Sequence, residues 1–213
     1  MSRYRLQSGE HGLELLDLFS KQKPLTAMFS DAAFLARLKR AGTRNELVAR
    51  AVKAGPDTRV LDCTGGLGRD AFLLAWLGSN VTLVERSPVM HALLSDGLRA
   101  ASQHKDLAVA AGRINLLCAD SLDLLTPEMP FDVIFIDPMF PERQQSAAVR
   151  GEMQLMQQFL GTDQDAASLL EHALATNVRR LVLKRPARSD WSPPVPVTHV
   201  FSNRTARYEV FVR

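Results

Sequence analysis

The strongest constraint on this chain is an alternation of two hydrophobic periods along its middle. Near-continuous apolar runs occupy residues 59–64 (RVLDCT), 80–86 (NVTLVER), 114–120 (INLLCAD), 131–137 (FDVIFID) and 179–186 (RRLVLKRP). Amphipathic, helix-period segments separate several of them, at 68–78, 88–103 and 165–177, with Pro88 placed for a first helical turn. Apolar strands that alternate with helices predict a parallel sheet covered on both faces. Right-handed crossovers bring the C-terminal ends of all the strands to one edge, where ligands of such sheets bind.

The alternation stops at the end of the chain. Residues 196–213 read as two strands around a turn at Ser202-Asn203, with no helix between them, so they should pair antiparallel. Five parallel strands followed by a hairpin resembles the order of Rossmann-like class I methyltransferases: an α/β fold with a seven-stranded, mainly parallel sheet. Before the alternation the pattern is weaker. Met1–Arg5 and Leu13–Phe19 are strand-like or a loose extension. A helix capped by Ser30 or Asp31 carries Phe34, Leu35 and Leu38, and a second helix over 45–54 stops at Gly55-Pro56. The expected division is a short N-terminal extension over 1–40 and the main domain over 41–213.

At 213 residues, 46% of them hydrophobic, the chain suits one globular domain with a small appendage. It has no apolar run near the ~20 residues of a membrane span and no signal-type N-terminal segment, which reads as cytoplasmic, with no membrane partner. Cys63 and Cys118 are expected as buried free thiols. The five histidines show no paired ligand spacing, so no metal is expected.

After the first strand comes "DCTGGLGRDA". Gly65, Gly66 and Gly68 allow a sharp turn and close approach to a ligand, and the helix starting at Arg69-Asp70 offers free N–H groups. Glu85 ends the next strand about 20 residues later, where a carboxylate can take two ribose hydroxyls. These features fit either S-adenosyl-L-methionine or a nicotinamide dinucleotide, since residues 66–71 satisfy G-x-G-x-x-A. Asp62 favours the former: it suits the ammonium of a methionine moiety and would repel a pyrophosphate. Asp120 ends the third strand and can accept from an adenine amine, with Ser121 beside it, or cap the helix of "ADSLDLL".

Asp137 ends the fourth strand, in "FIDPMF", at the methionine end of any ligand in the glycine loop. An exocyclic amine conjugated to a ring is a poor nucleophile. An oxygen that accepts its N–H bonds can hold it facing a methyl donor, and Phe140 can stack on the ring while Pro138 stiffens the turn. Positioning would then supply much of the rate. Adenine N6, guanine N2 and a glutamine amide all fit this chemistry. Twenty arginines to six lysines suit phosphate contacts, and Arg37–Lys53 and Arg179–Arg188 hold the two basic clusters. An RNA-binding module and an oxidoreductase are the competing readings.

Several segments together resemble the ribosomal RNA small subunit methyltransferase J family: "GTRNELVARAV", "DCTGGLGRDAF", "ERSPVMHALLSDGL", "CADSL", "DPMFPERQQSA", "EMQ" and "LVLKRP". The resemblance covers about residues 40–190, and "DPMFP" is the family's own form of the amino-methyltransferase motif. It implies an S-adenosyl-L-methionine-dependent enzyme that methylates a guanine N2 near the 3′ end of 16S ribosomal RNA, with that RNA or the small subunit as partner. It also implies donor contacts at Arg69, Asp70, Glu85, Arg86, Asp120, Ser121 and Asp137. Lys184 and Arg185, at the end of the fifth strand, are expected to touch RNA phosphate, as is Arg44. Residues 1–30 match less well. Family members usually carry more chain before this point, so the expectation is an incomplete first substructure.

Overall fold

The structure, a computed structural model, describes residues 2–139, 147–161, 166–188, 191 and 193–213. The strands of the main sheet are β3 (Arg59–Asp62), β4 (Asn80–Glu85), β5 (Ile114–Cys118), β6 (Val133–Ile136), β7 (Arg180–Pro186), β8 (His199–Ser202) and β9 (Ala206–Val212). They lie in the order β5-β4-β3-β6-β7-β9-β8, parallel except for β9, which is antiparallel to both β7 and β8. The order reverses between β3 and β4 on one side and β6 on the other, so the crevice at the strand ends opens beside β3.

Burial explains why these runs are continuously apolar. All four residues of β6 are buried. Val133 and Phe135 face one core with Phe72, Leu83, Leu93 and Val182, while Ile134 and Ile136 face the other with Leu61, Leu170 and Leu183. Each such side chain removed from water contributes roughly 1.5–3 kcal/mol, so a polar residue at either face of β6 would be costly.

Helices α1 (Ala32–Arg40), α2 (Leu47–Val52), α3 (Arg69–Trp76), α4 (Pro88–Ser102), α5 (Ala108–Ala111), α6 (Ser121–Leu124), α7 (Ala147–Leu160) and α8 (Ala166–Ala175) complete the chain. Asp31 caps α1, its Oδ1 accepting from the Phe34 N–H at 2.9 Å, and Ser87 caps α4.

The N-terminal segment is more ordered than its pattern suggests. β1 (Tyr4–Gly9) and β2 (Gly12–Asp17) form a separate antiparallel hairpin. Leu15, Leu25, Phe29, Phe34 and Leu38 join the same core as α3 and α4. Phe29 stacks on Phe72 with centroids 4.4 Å apart. Gly97, in the middle of α4, is where this segment presses closest: a Cβ there would lie 1.9 Å from the Ala27 carbonyl oxygen. Residues 15–38 therefore contribute to the same core as the main sheet.

One expectation is corrected here. Cys63 is buried, but Cys118 is exposed. It closes β5, the edge strand, which has a neighbour on one side only. No helix among the described residues is long and apolar enough to cross a membrane.

Candidate active site

The glycine turn is pinned to the end of β4. Gly65 N–H donates to the Val84 carbonyl at 2.8 Å, and Gly66 N–H donates to Glu85 Oε2 at 2.9 Å. The other oxygen of Glu85 accepts from Ser87 N–H at 2.8 Å. Three positions call for glycine: Gly65 and Gly68 by close contact, and Gly66 by its left-handed φ of +53°. At Gly65 a Cβ would stand 2.8 Å from the Glu85 Cβ, and Gly68, with φ +68°, would place one 2.8 Å from Leu94 Cδ2. At Gly66 the nearest neighbour of a Cβ is Met156 Cε at 4.0 Å, because this backbone faces open space.

That space is a cavity of about 890 Å³ at the C-terminal strand edge, within the range of small-molecule cofactor sites. Asp62, Glu85, Asp120 and Asp137, from the ends of four adjacent strands, all line it. Asp62 is 2% exposed, and its Oδ1 accepts from Thr64 N–H at 3.1 Å and from the Thr64 hydroxyl at 3.3 Å. Burial pushes its carboxyl well above the usual carboxylate range, and Asp137 and Asp70 add repulsion. A cation placed against it would relieve both effects. Asp120 caps α6 through the Leu122 N–H, at 2.9 Å, and lines the cavity as well. Ser121 is buried, its hydroxyl donating to the Cys63 carbonyl at 2.7 Å.

Thr64 links the Asp62 carboxylate to the Asp137 backbone: its Oγ1 donates to Asp62 and accepts from Asp137 N–H at 2.7 Å. Lys184 Nζ then bridges Asp137 Oδ2 at 2.7 Å and Asp70 Oδ2 at 2.8 Å, with the Tyr208 ring 5.9 Å away. Arg37 closes the network, 3.6 Å from Asp70 Oδ1 and 2.9 Å from Glu46. Burial opposes the Lys184 ammonium, but Asp137 and Asp70 outweigh it and raise its pKa well above that of an ordinary lysine. Asp70 is held low: burial works against its charge, and Lys184 and Arg37 overcome it. Burial and the Asp70 charge push the Tyr208 phenol up.

The remaining residues singled out in the sequence are placed as follows. Arg69 and Arg86 line the cavity, and Arg69 also lies 3.7 Å from Asp31. Arg44 is exposed between α1 and α2 and does not line the cavity. Phe140 lies outside the described residues. The expectation of RNA phosphate contacts is corrected for Arg185 and altered for Lys184. Arg185 is buried, donating to Glu209 at 2.6 Å and to the Trp191 carbonyl, because β7 turns it into the sheet-hairpin interface. Lys184 already holds two carboxylates. Sequence reasoning missed Arg37, Thr64 and Tyr208. Arg37 was legible only as one member of a basic cluster, and nothing local marked the other two. Among the described residues, no cluster of three or more His, Cys, Asp or Glu could hold a metal ion.

The glycine turn, Glu85 and the buried Asp62 line one cavity at the strand edge, and comparison with known proteins shows the family. The family described as "Putative SAM-dependent methyltransferase" matches residues 1–213. Proteins named ribosomal RNA small subunit methyltransferase J are similar over nearly the whole chain. The one from Ectopseudomonas mendocina is 40% identical, over 98% of this chain and 82% of its own length; that from Thioalkalivibrio sulfidiphilus is 43% identical, over 95% and 82%. The chain belongs to the ribosomal RNA small subunit methyltransferase J family. The crystal structure of the SAM-dependent methyltransferase NGO1261 from Neisseria gonorrhoeae superposes with a TM-score of 0.73 at 29% identity, covering 97% of this chain and 81% of that one. As a member of this methyltransferase J family the chain is an S-adenosyl-L-methionine-dependent enzyme, and the carboxylates lining the cavity suit that cofactor rather than a pyrophosphate.

Proposed function

We propose that this chain transfers a methyl group from S-adenosyl-L-methionine to the exocyclic N2 of a guanine in 16S ribosomal RNA of the small subunit. The observation that carries the reaction class is Asp137: a carboxylate at the cavity's end, anchored on both its backbone and its side chain by Thr64 and Lys184. The RNA acceptor rests on the names of the relatives.

Asp62 would hold the methionine ammonium, Glu85 the ribose hydroxyls and Asp120 the adenine amine, with Arg69, Asp70, Arg86 and Ser121 shaping the same walls. Bound there, S-adenosyl-L-methionine supplies an electrophilic methyl whose C–S electron pair returns to sulfur as a neutral thioether. Asp137 accepts an N–H bond from the amine and turns its lone pair toward that methyl. The nitrogen forms the new N–C bond and then releases one proton to water. Holding the reactants in line supplies several kcal/mol of the barrier reduction, on the order of 7–11 in well-oriented cases. A guanine N2 is paired in duplex RNA, so the base must come from an unpaired site or be splayed out at a cost of a few kcal/mol. Exposed cations such as Arg44 would give binding that weakens with salt.

The test is Asp137→Ala with small-subunit RNA and labelled donor, followed by mass mapping of the methylated nucleotides. Wild type should label a guanine at N2, and the variant should not label it while still binding S-adenosylhomocysteine. Full activity in the variant refutes the role of Asp137, and labelling of another base refutes the acceptor.

A further inference from the structure

One charge cluster at the cavity holds a cation, Lys184, that neither donor binding nor RNA attraction explains. Two carboxylates, Asp70 from α3 and Asp137 after β6, flank the ammonium of Lys184 from β7, and Asp62 from β3 lies near enough to feel the charge of both acids. Arg37 of α1 backs Asp70, and Tyr208 of β9 lies beneath the ammonium. A lysine that reached for RNA phosphate would be free to move. This one is clamped at 2.7 and 2.8 Å between two acids, and its side chain is only 26% exposed.

We infer that Lys184 is a positioning residue for methyl transfer, which Asp70 anchors and which in turn fixes the carboxylate of Asp137 toward the acceptor amine. The inference rests on the role proposed for Asp137. A lysine side chain has four rotatable bonds and holds nothing in place by itself. Asp70 removes that freedom: it stands in the first turn of α3, its side chain 14% exposed. The orientation therefore passes from α3 through Asp70 to Lys184 and on to Asp137 Oδ2, while Thr64 holds the Asp137 backbone from the other side. The adjacent cation also keeps the carboxylate ionised, as a hydrogen-bond acceptor rather than a store for the released proton, which leaves to water.

The experiment compares Lys184→Met, Lys184→Arg, Asp70→Asn and the double variant D70N/K184M with wild type. It reads kcat, KM for small-subunit RNA, S-adenosylhomocysteine affinity, the pH profile of kcat and thermal melting. K184M should lower kcat about 100-fold, the loss typical of a misplacement near 1 Å, with donor affinity and RNA KM within about threefold by the same argument. Its acid limb should move to higher pH, because Asp137 loses the Lys184 ammonium. K184R should recover part of kcat. D70N should lower kcat less than K184M, and the double variant should be no worse than K184M alone, because Asp70 acts through Lys184.

The inference is overturned if K184M keeps wild-type kcat. It is overturned equally if the loss lies in RNA KM with a shallower salt dependence, or if the two losses multiply. If K184M shows no cooperative melt, D70N decides: lowered kcat at unchanged RNA KM upholds the inference, and unchanged kcat overturns it. An active D137A variant would instead remove the underlying role of Asp137. An inactive D137A beside a fully active K184M removes only the role of Lys184.

Discussion

Arg185→Met offers the sharpest test of a residue that the sequence and the structure read differently. The sequence places Arg185 on the ligand edge as a phosphate contact, whereas in the fold its side chain is 4% exposed and meets a Glu209 side chain that is 1% exposed. Breaking a buried ion pair costs about 3–5 kcal/mol, because one charge stays buried without its partner. Arg207 Nε also lies 2.8 Å from Glu209 Oε1, as an ion-pair contact out of line for a hydrogen bond, so Glu209 keeps one cation. That favours the low end, about 3 kcal/mol. For a chain of this size each kcal/mol moves the melting temperature by about 2–4 °C, so the expected drop is about 6–12 °C. Calorimetry on wild type and variant gives the shift. Filter binding to small-subunit RNA at several salt concentrations, well below both transitions, gives the salt slope, which should not change. A drop of less than about 2 °C together with a shallower salt slope would return Arg185 to the RNA surface and refute the buried-pair argument.

Two further outcomes follow from the cavity. Glu85→Ala removes the acceptor for Gly66 and Ser87 N–H together with the proposed ribose contact; at about 2–3 kcal/mol for a charged acceptor, S-adenosylhomocysteine affinity should fall roughly 30–150-fold by calorimetry. Asp62→Asn addresses pH: because burial raises the folded pKa of Asp62 above its unfolded value, ionising it costs stability, and that cost is absent below about pH 4 and complete above the folded pKa. Without donor, the asparagine variant should therefore melt higher than wild type by a margin that grows as pH rises, while binding S-adenosylhomocysteine more weakly; a margin that shrinks with rising pH contradicts the sign.

The strand-helix alternation of the middle was legible because buried parallel strands must be apolar on both faces, as at Val133–Ile136. The N-terminal hairpin was not. In β2 only Leu15 and Asp17 are buried, so the period-2 signal is weak, and the hairpin is held by distant partners such as Asp96, which accepts from Leu13 N–H at 2.7 Å. Asp120 shows the middle case, where local sequence offered a cap and a ligand contact, and the fold shows the cap and a place on the cavity wall.

By itself, the sequence determined the sheet, its terminal hairpin and the carboxylates at its edge. Those depend on period, on glycine and on where strands end, all of which are local. Only the tertiary structure decided the work of the adjacent cations Lys184 and Arg185. Strand alternation turns the two to opposite faces of β7, one toward Asp70 and Asp137 and the other toward Glu209. Their partners come from α3, the end of β6 and β9. An ion pair is set by which distant groups the fold brings within about 3 Å of each other, and no property of residues 184 and 185 alone carries that information.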